Sequence, residues 1–245
     1  MLFRSGYFAL ATALRDWVQR EVPPDAATLS GLTTTDVCSI LGQSPANASL
    51  QPFIALCVQA LHDLARFLTA ELSGHYSAIL DRGDYRADAI VTLLQKMPMF
   101  RDISTLAGQD IFILKRAQIF VHDLAIALDQ LGARRIEGLD RIAIFADNII
   151  PFILERHGVL RYHPALKQRI EEQRPLRQGS RAEIELRACS IHACELIRQR
   201  LTTAGIPATA RTVDFLLWND GTLAEAGPAN SEADSKTHIC LTHFY

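Results

Sequence analysis

Apolar positions recur at three- and four-residue spacing along most of the chain, the period of helices that bury one face. The clearest case is 114–131, where Leu114, Ala117, Val121, Leu124, Leu128 and Leu131 form one stripe that Gly132 ends. The same period fits Gly6–Glu21 up to Pro23-Pro24, and Leu50–Leu72 with Gly74 just past its end. Thr34 or Thr35 caps a short helix ending at Gly42, and Asp84 opens one through Ile90, Leu93 and Leu94 that stops near Pro98. Leu139–Phe145 and Ile149–Arg156 read as two helices with Asp147 at their junction and His157-Gly158 closing the second. Ser180 and Glu183 form a capping-box signature before a helix running to Gly205, followed by Pro207. A last helix fits Thr212–Trp218. Gly108–Ile113 suits a strand or the entry to the next helix. Residues 219–237, rich in Gly, Pro, Ala, Asn and Ser, read as a mobile loop, and His238–Tyr245 as a short strand or docked tail. No repeat or composition break interrupts the pattern. The expectation is a single, mainly α domain over 1–245, with a few short strands near the C-terminus.

Composition narrows the class. Of 245 residues 49% are hydrophobic, enough for a substantial core. Twenty-five Lys and Arg against 27 Asp and Glu leave a net charge of −2, which argues against general electrostatic binding of nucleic acid. The five cysteines are odd in number, widely spread and without a C-x-x-C, the pattern of a reduced, cytoplasmic protein. The longest uncharged stretch, Val37–Leu61, contains Pro45, Pro52, Gln43, Asn47 and Gln51, so no membrane span is expected. Arg4 and the apolar run Tyr7–Leu14 look superficially like a signal peptide, but Arg15 and Asp16 follow without a break and the helical pattern runs on through Trp17 and Val18.

The common phosphate-loop, dinucleotide, zinc-protease and serine-hydrolase motifs are absent, so the candidate chemistry is local. Asp147 is a lone carboxylate in Ile142-Ala143-Ile144-Phe145-Ala146-Asp147-Asn148-Ile149-Ile150-Pro151. It either caps the following helix or serves a function, since an unpaired buried carboxylate is costly. Lys115 and Arg116 are cations at the start of the striped helix, where the macrodipole favours anions. They call for a nearby anion, either a phosphate or a carboxylate of the protein. His122, seven residues on, shares nearly the same face as Lys115. Glu185, Cys189 and His192, with Cys194 nearby, have spacing that could ligate zinc or simply serve the core; no metal or other cofactor is expected. Glu185 and Arg187 cannot face each other at a spacing of two, so each needs a partner on another element.

Several of these stretches, in this order, resemble the queuosine salvage family of queuosine 5′-phosphate N-glycosidases. The matching residues are Gly6-Tyr7-Phe8, Phe100-Arg101-Asp102, Leu114-Lys115-Arg116-Ala117-Gln118-Ile119, Phe145-Ala146-Asp147 with Pro151, Glu185-Leu186-Arg187-Ala188-Cys189-Ser190, Glu195-Leu196-Ile197-Arg198, Asp214-Phe215-Leu216-Leu217-Trp218, His238 and Tyr245. Phe8 stands where the family has Trp, and Asn219 where an aspartate usually follows the Leu-Trp pair. The family's Asn-Phe-Ser-Phe-Trp motif, which precedes its Gly-Tyr-Trp segment, has no counterpart in this sequence. The resemblance implies a fold similar to helical DNA glycosylases and hydrolysis of queuosine 5′-monophosphate to queuine and ribose 5-phosphate. It makes a small-molecule nucleotide the partner, with no direct nucleic acid or membrane contact. It also implies a catalytic Asp147 and substrate contacts from Lys115, Arg116, Phe145, Glu185, Arg187, Trp218, His238 and Tyr245. The competing readings are a relative that binds the base or nucleotide without cleaving it, and a helical protein-interaction module using Trp17, Phe53 and Trp218.

Overall fold

The computed structural model describes residues 6–20, 23–226 and 236–244, which form two compact units, Met1–Arg82 and Gly83–Tyr245. The fold is mainly α, as the periodicity predicts, with eleven α-helices and one two-stranded sheet among the described residues.

The first unit contains α1 (Gly6–Arg20), α2 (Ala26–Gly31), α3 (Thr34–Ile40), α4 (Gln51–Leu72) and α5 (Ala78–Arg82). Thr33, one residue before the predicted caps, starts α3 with a full capping box to Asp36. The helix α4 packs on α2 and α3, enclosing Val37, Cys38 and Ile54. Its length and hydropathy alone would suit a membrane span. It nevertheless carries a buried Asp63 that accepts hydrogen bonds from Gln59 and Arg66, and it buries Phe67, Leu68 and Leu72. Ser73 in the left-handed conformation and then Gly74 end it, as the sequence suggests.

The second unit contains α6 (Ala87–Leu94), β1 (Ile103–Leu106), β2 (Gln109–Phe112), α7 (Lys115–Gln130), α8 (Ile149–Arg156), α9 (Pro164–Glu171), α10 (Arg181–Thr203) and α11 (Ala210–Ala226). The strands pair antiparallel across Ala107-Gly108, both at positive φ, the arrangement that matches strand twist in a two-residue hairpin. This settles Gly108–Ile113 as strand and places the hairpin in mid-chain, not near the C-terminus. Among the described residues the C-terminal segment adds only an isolated bridge between Leu176 and Cys240. On α7 the predicted stripe is buried at Leu114, Ala117, Val121 and Leu128 and half-buried at Leu124, while Leu131 is exposed at the helix end. Gln118 and His122 lie buried beside the stripe, which an apolar count does not show.

The short helices α2, α5 and α9 are not foreseen by the periodic reading, α6 begins at Ala87 and not at Asp84, and two further segments differ in kind. Leu139–Phe145 is not a helix: a 3-10 turn covers Leu139–Arg141, and the residues to Asn148 form neither helix nor strand. Their burial alternates, with Ile142, Ile144 and Ala146 inside. Side chains from other elements take up their backbone polar groups, so no helical ladder is needed. The second difference is the last helix, which continues past Trp218 to Ala226, so the expected loop does not begin at Asn219. The rest of that loop, 227–235, lies outside the described residues.

The helix α11 packs against α8 and α10, and Ile150, Leu154, Ala193, Cys194, Ala210 and Val213 share one core with Ile113, Ile144 and Ala146. Gly221 lies within this helix, where α11 packs directly against α8. A Cβ there would lie 2.5 Å from Ile149 Cγ2 and 3.3 Å from Ile153 Cβ. Those atoms belong to β-branched side chains with little rotamer freedom in a helix. Gly221→Ala should therefore destabilise the protein by about 1–3 kcal/mol in chemical denaturation, despite alanine's higher helix propensity of about 1 kcal/mol. A stabilised variant would show that the two helices can separate freely.

Candidate active site

The irregular run 142–148 is held in place by side chains. Gln118 receives the N–H of Ala143 at 2.7 Å and donates to the carbonyl of Ile113 at 2.7 Å, tying the run to the start of α7. Asp214, from the second turn of α11, receives the N–H of Phe145 at 2.8 Å. Arg187, from the second turn of α10, donates Nε–H to the carbonyl of Ala146 at 3.0 Å. The next residue is Asp147.

Asp147 is 6% exposed. Its Oδ1 accepts the N–H groups of Ile149 and Ile150 at 2.8 and 3.2 Å, so it satisfies the first turn of α8. Its Oδ2 faces Lys115 Nζ at 3.4 Å. The capping and functional readings of this residue are thus compatible, because the two oxygens face different groups. Lys115 is the first residue of α7, and its nearby anion is a protein carboxylate. Ahead of it, Leu114 adopts φ 51°, unusual for a bulky residue. That turn is fixed by the Asp102 carbonyl, which accepts from the N–H groups of Ile113 and Leu114 at 3.1 and 3.2 Å.

The Asp102 side chain binds Arg187. The guanidinium donates to Asp102 Oδ1 at 3.1 Å and Oδ2 at 2.5 Å, and to Glu183 Oε1 at 3.1 Å. All three residues are at most 2% exposed. Sequence reasoning correctly required an off-helix partner for Arg187. Glu183, read only as a capping residue, also accepts from Gly179 N–H at 3.1 Å and pairs with Arg187 one helical turn on.

Electrostatically, the buried groups separate. Burial raises Asp214 to about 6, reinforced by the charge of Asp147 and opposed by the Phe145 N–H and Lys115. Burial lowers His238 to about 4, with Arg187 adding to the shift and Asp147 opposing it. His122 is also pushed down to about 4 by burial, with Arg211 adding to the effect. Its ring meets Phe145 edge to face at 5.4 Å, and its Nε2 is buried without a hydrogen-bond partner among the described residues.

The structure therefore brings Lys115, Phe145, Asp147, Arg187 and His238 together. Other expected site residues are placed differently. Glu185 pairs with Arg181 on its own helix at 2.7 Å, half exposed, instead of reaching another element. Trp218 packs against the α8–α10–α11 core. Arg116 donates to Met99 Sδ at 3.8 Å, and Tyr245 lies outside the described residues. The row proposed for zinc does not converge: Cys194 is buried in the core, whereas Cys189 and His192 are exposed. Sequence reasoning did not single out the roles of Gln118, Glu183 and Asp214. A polar residue beside an apolar helical stripe was the available signal for Gln118.

The family model described as queuosine salvage protein matches residues 3–245. This chain belongs to the queuosine salvage protein family. Three proteins similar to it carry the name queuosine 5′-phosphate N-glycosylase/hydrolase. The one from Sphaerobacter thermophilus is 33% identical over 224 residues, covering 91% of this chain and 68% of that protein. Those from Dictyostelium discoideum and Schizosaccharomyces pombe are 29% and 28% identical, covering 90% and 88% of this chain and 65% and 62% of theirs. The queuosine salvage chain thus spans about two thirds of the length of these relatives.

The perturbed groups give the protein a pH dependence whose sign follows from the direction of each shift. His122 and His238 bind protons more weakly folded than unfolded, so each loses stability as pH falls from about 6.5 to about 4. Asp214 binds its proton more tightly when folded, so it contributes stability as pH falls from about 6 to about 4. These losses outweigh the gain, His243 is lowered in the same direction by burial, and urea unfolding should show a net loss on the order of 2 kcal/mol or more between pH 6.5 and 4. In His122→Leu one of these losses is removed, and the fall in stability between pH 6.5 and 4 should be clearly smaller than in the wild type. An unchanged slope in that variant would remove His122 from the account.

Proposed function

We propose that this protein hydrolyses the N-glycosidic bond of queuosine 5′-monophosphate, releasing queuine and ribose 5-phosphate. The observation that carries the reading is the buried Asp147, with one oxygen committed to the α8 amides and the other facing Lys115 at 3.4 Å. The family and the shared name of its relatives support the substrate.

The chemistry follows from the bond. When the ribose C1′–N bond breaks, the electron pair leaves with the base and positive charge builds on the sugar. A preorganised carboxylate stabilises that charge, and it can accept a proton as water adds to C1′. The departing base takes up a proton to complete the balance. The base lacks the N7 acceptor that eases purine departure, which places more of the task on the carboxylate. In this reading Phe145 and His238 flank the substrate beside Asp147, and Lys115 reaches its 5′-phosphate. A cytoplasmic location and cleavage without a cofactor are parts of the same proposal.

Asp147→Asn tests the charge directly. Asparagine retains an acceptor for the α8 amides, so stability should change by less than about 2 kcal/mol. Release of queuine should fall by a factor on the order of 10² or more. A folded Asp147→Asn protein that keeps most of its turnover overturns the assignment. Wild-type protein that binds the nucleotide without releasing base would instead be a binding relative.

For Lys115 the informative comparison is between ligands. A charge-assisted bond to phosphate contributes roughly 1.5–3 kcal/mol, so Lys115→Ala should weaken the nucleotide by about 10- to 100-fold and the nucleoside much less. Equal losses would restrict Lys115 to its ion pair with Asp147.

A further inference from the structure

We propose that Arg187 is a positioning residue, setting the backbone on which Asp147 and Lys115 stand. The inference rests on the reading of Asp147 as the carboxylate at the reacting carbon. Arg187 is 1% exposed, and its Nε–H holds the carbonyl of Ala146, the peptide unit that leads into Asp147. The other side of the same guanidinium holds both oxygens of Asp102. The main-chain oxygen of Asp102 in turn fixes the N–H groups of Ile113 and Leu114, immediately before Lys115. One planar group therefore spans the supports of both members of the Lys115–Asp147 pair. Glu183 holds that group from its own helix.

The fork geometry matters as much as the charge. A lysine at this position keeps the positive charge but cannot bind Ala146, Asp102 and Glu183 with the same fixed directions. The supports then relax while the side chains of Asp147 and Lys115 remain present. Misplacement of a reacting group by about 1 Å is enough to cost about 10²-fold in rate.

The test uses the full chain carrying Arg187→Lys. The expected result is a kcat lower by about 10- to 100-fold with KM for queuosine 5′-monophosphate within about threefold. In an Asp147→Asn background the same substitution should cost less than about threefold more, because the charge to be positioned is gone. Amide exchange gives a readout without turnover: Ile149 and Ile150, the donors to Asp147, should exchange faster while the α10 amides do not. If Arg187→Lys does not fold, Asp102→Asn carries the same comparisons, because it keeps the acceptor shape and weakens one arm of the fork. A raised KM with kcat retained would make Arg187 a substrate contact. Losses that add fully in the Asp147→Asn background, or amides accelerating together across 83–245, would make it a general structural residue. Wild-type protein that releases no queuine would overturn the proposed function alone, and the exchange pattern would still decide the positioning role.

Discussion

A guanidinium taken out of water must be surrounded by acceptors, and that requirement organises the second unit. Arg187 is enclosed by a carboxylate from the loop before β1, a carboxylate one turn back on α10 and a carbonyl from the run before α8. Each acceptor lies on a different stretch of chain, so satisfying the cation fixes three segments relative to one another. Removing one partner of such a buried pair typically costs about 3–5 kcal/mol, because the remaining charge is stranded. The net contribution of the intact cluster to stability is far smaller, since desolvation opposes the attraction. Its main effect is geometric: it limits which arrangements of α7, α8 and α10 are compatible with a folded core.

Within that limit, the 142–148 run shows how an irregular segment can be both buried and exact in position. A helix or sheet would satisfy its backbone groups internally, and the side chains would follow the regular period. Here Gln118, Asp214 and Arg187 supply the missing partners, each from a separate helix. The segment is therefore tied to α7, α11 and α10 together, and Asp147 inherits that rigidity. The lysine at the start of α7 is unfavourable with respect to its own helix dipole, while the carboxylate at the start of α8 is favourable. Pairing them offsets the first with the second.

The sequence made the helices legible and the site only partly so, for related reasons. Helices such as α4, α7 and α10 have an apolar or capped pattern set by neighbours a few residues away, and local reading recovers them. Asp147 was visible because an isolated acid among isoleucines has a cost that local sequence exposes. Lys115 and Arg187 stood out as charges that their own helix does not satisfy, and the resemblance added a substrate role to each. What could not be read locally was pairing at a distance: Arg187 with Asp102 is separated by 85 residues, and Phe145 with Asp214 by 69. Leu139–Phe145 reads as helix from its apolar content, but beyond the 3-10 turn at Leu139–Arg141 its backbone partners lie on other elements. The Gly-containing start of 219–237 was mistaken for loop because Gly221 reads as flexibility, whereas its role is the absence of a side chain at a helix crossing.

The same physics separates the two carboxylates of the site. Asp147 has backbone amides on one oxygen and an ammonium beside the other. Asp214 has a single amide, sits in an apolar core and feels the charge of Asp147, and burial holds it near 6. Asp147, with Lys115 beside it, stands where α8 begins, next to Phe145 and near the His238 ring that burial keeps neutral. That is where a reaction developing positive charge on a sugar would need it, and the apolar surroundings strengthen the interaction by excluding competing solvent.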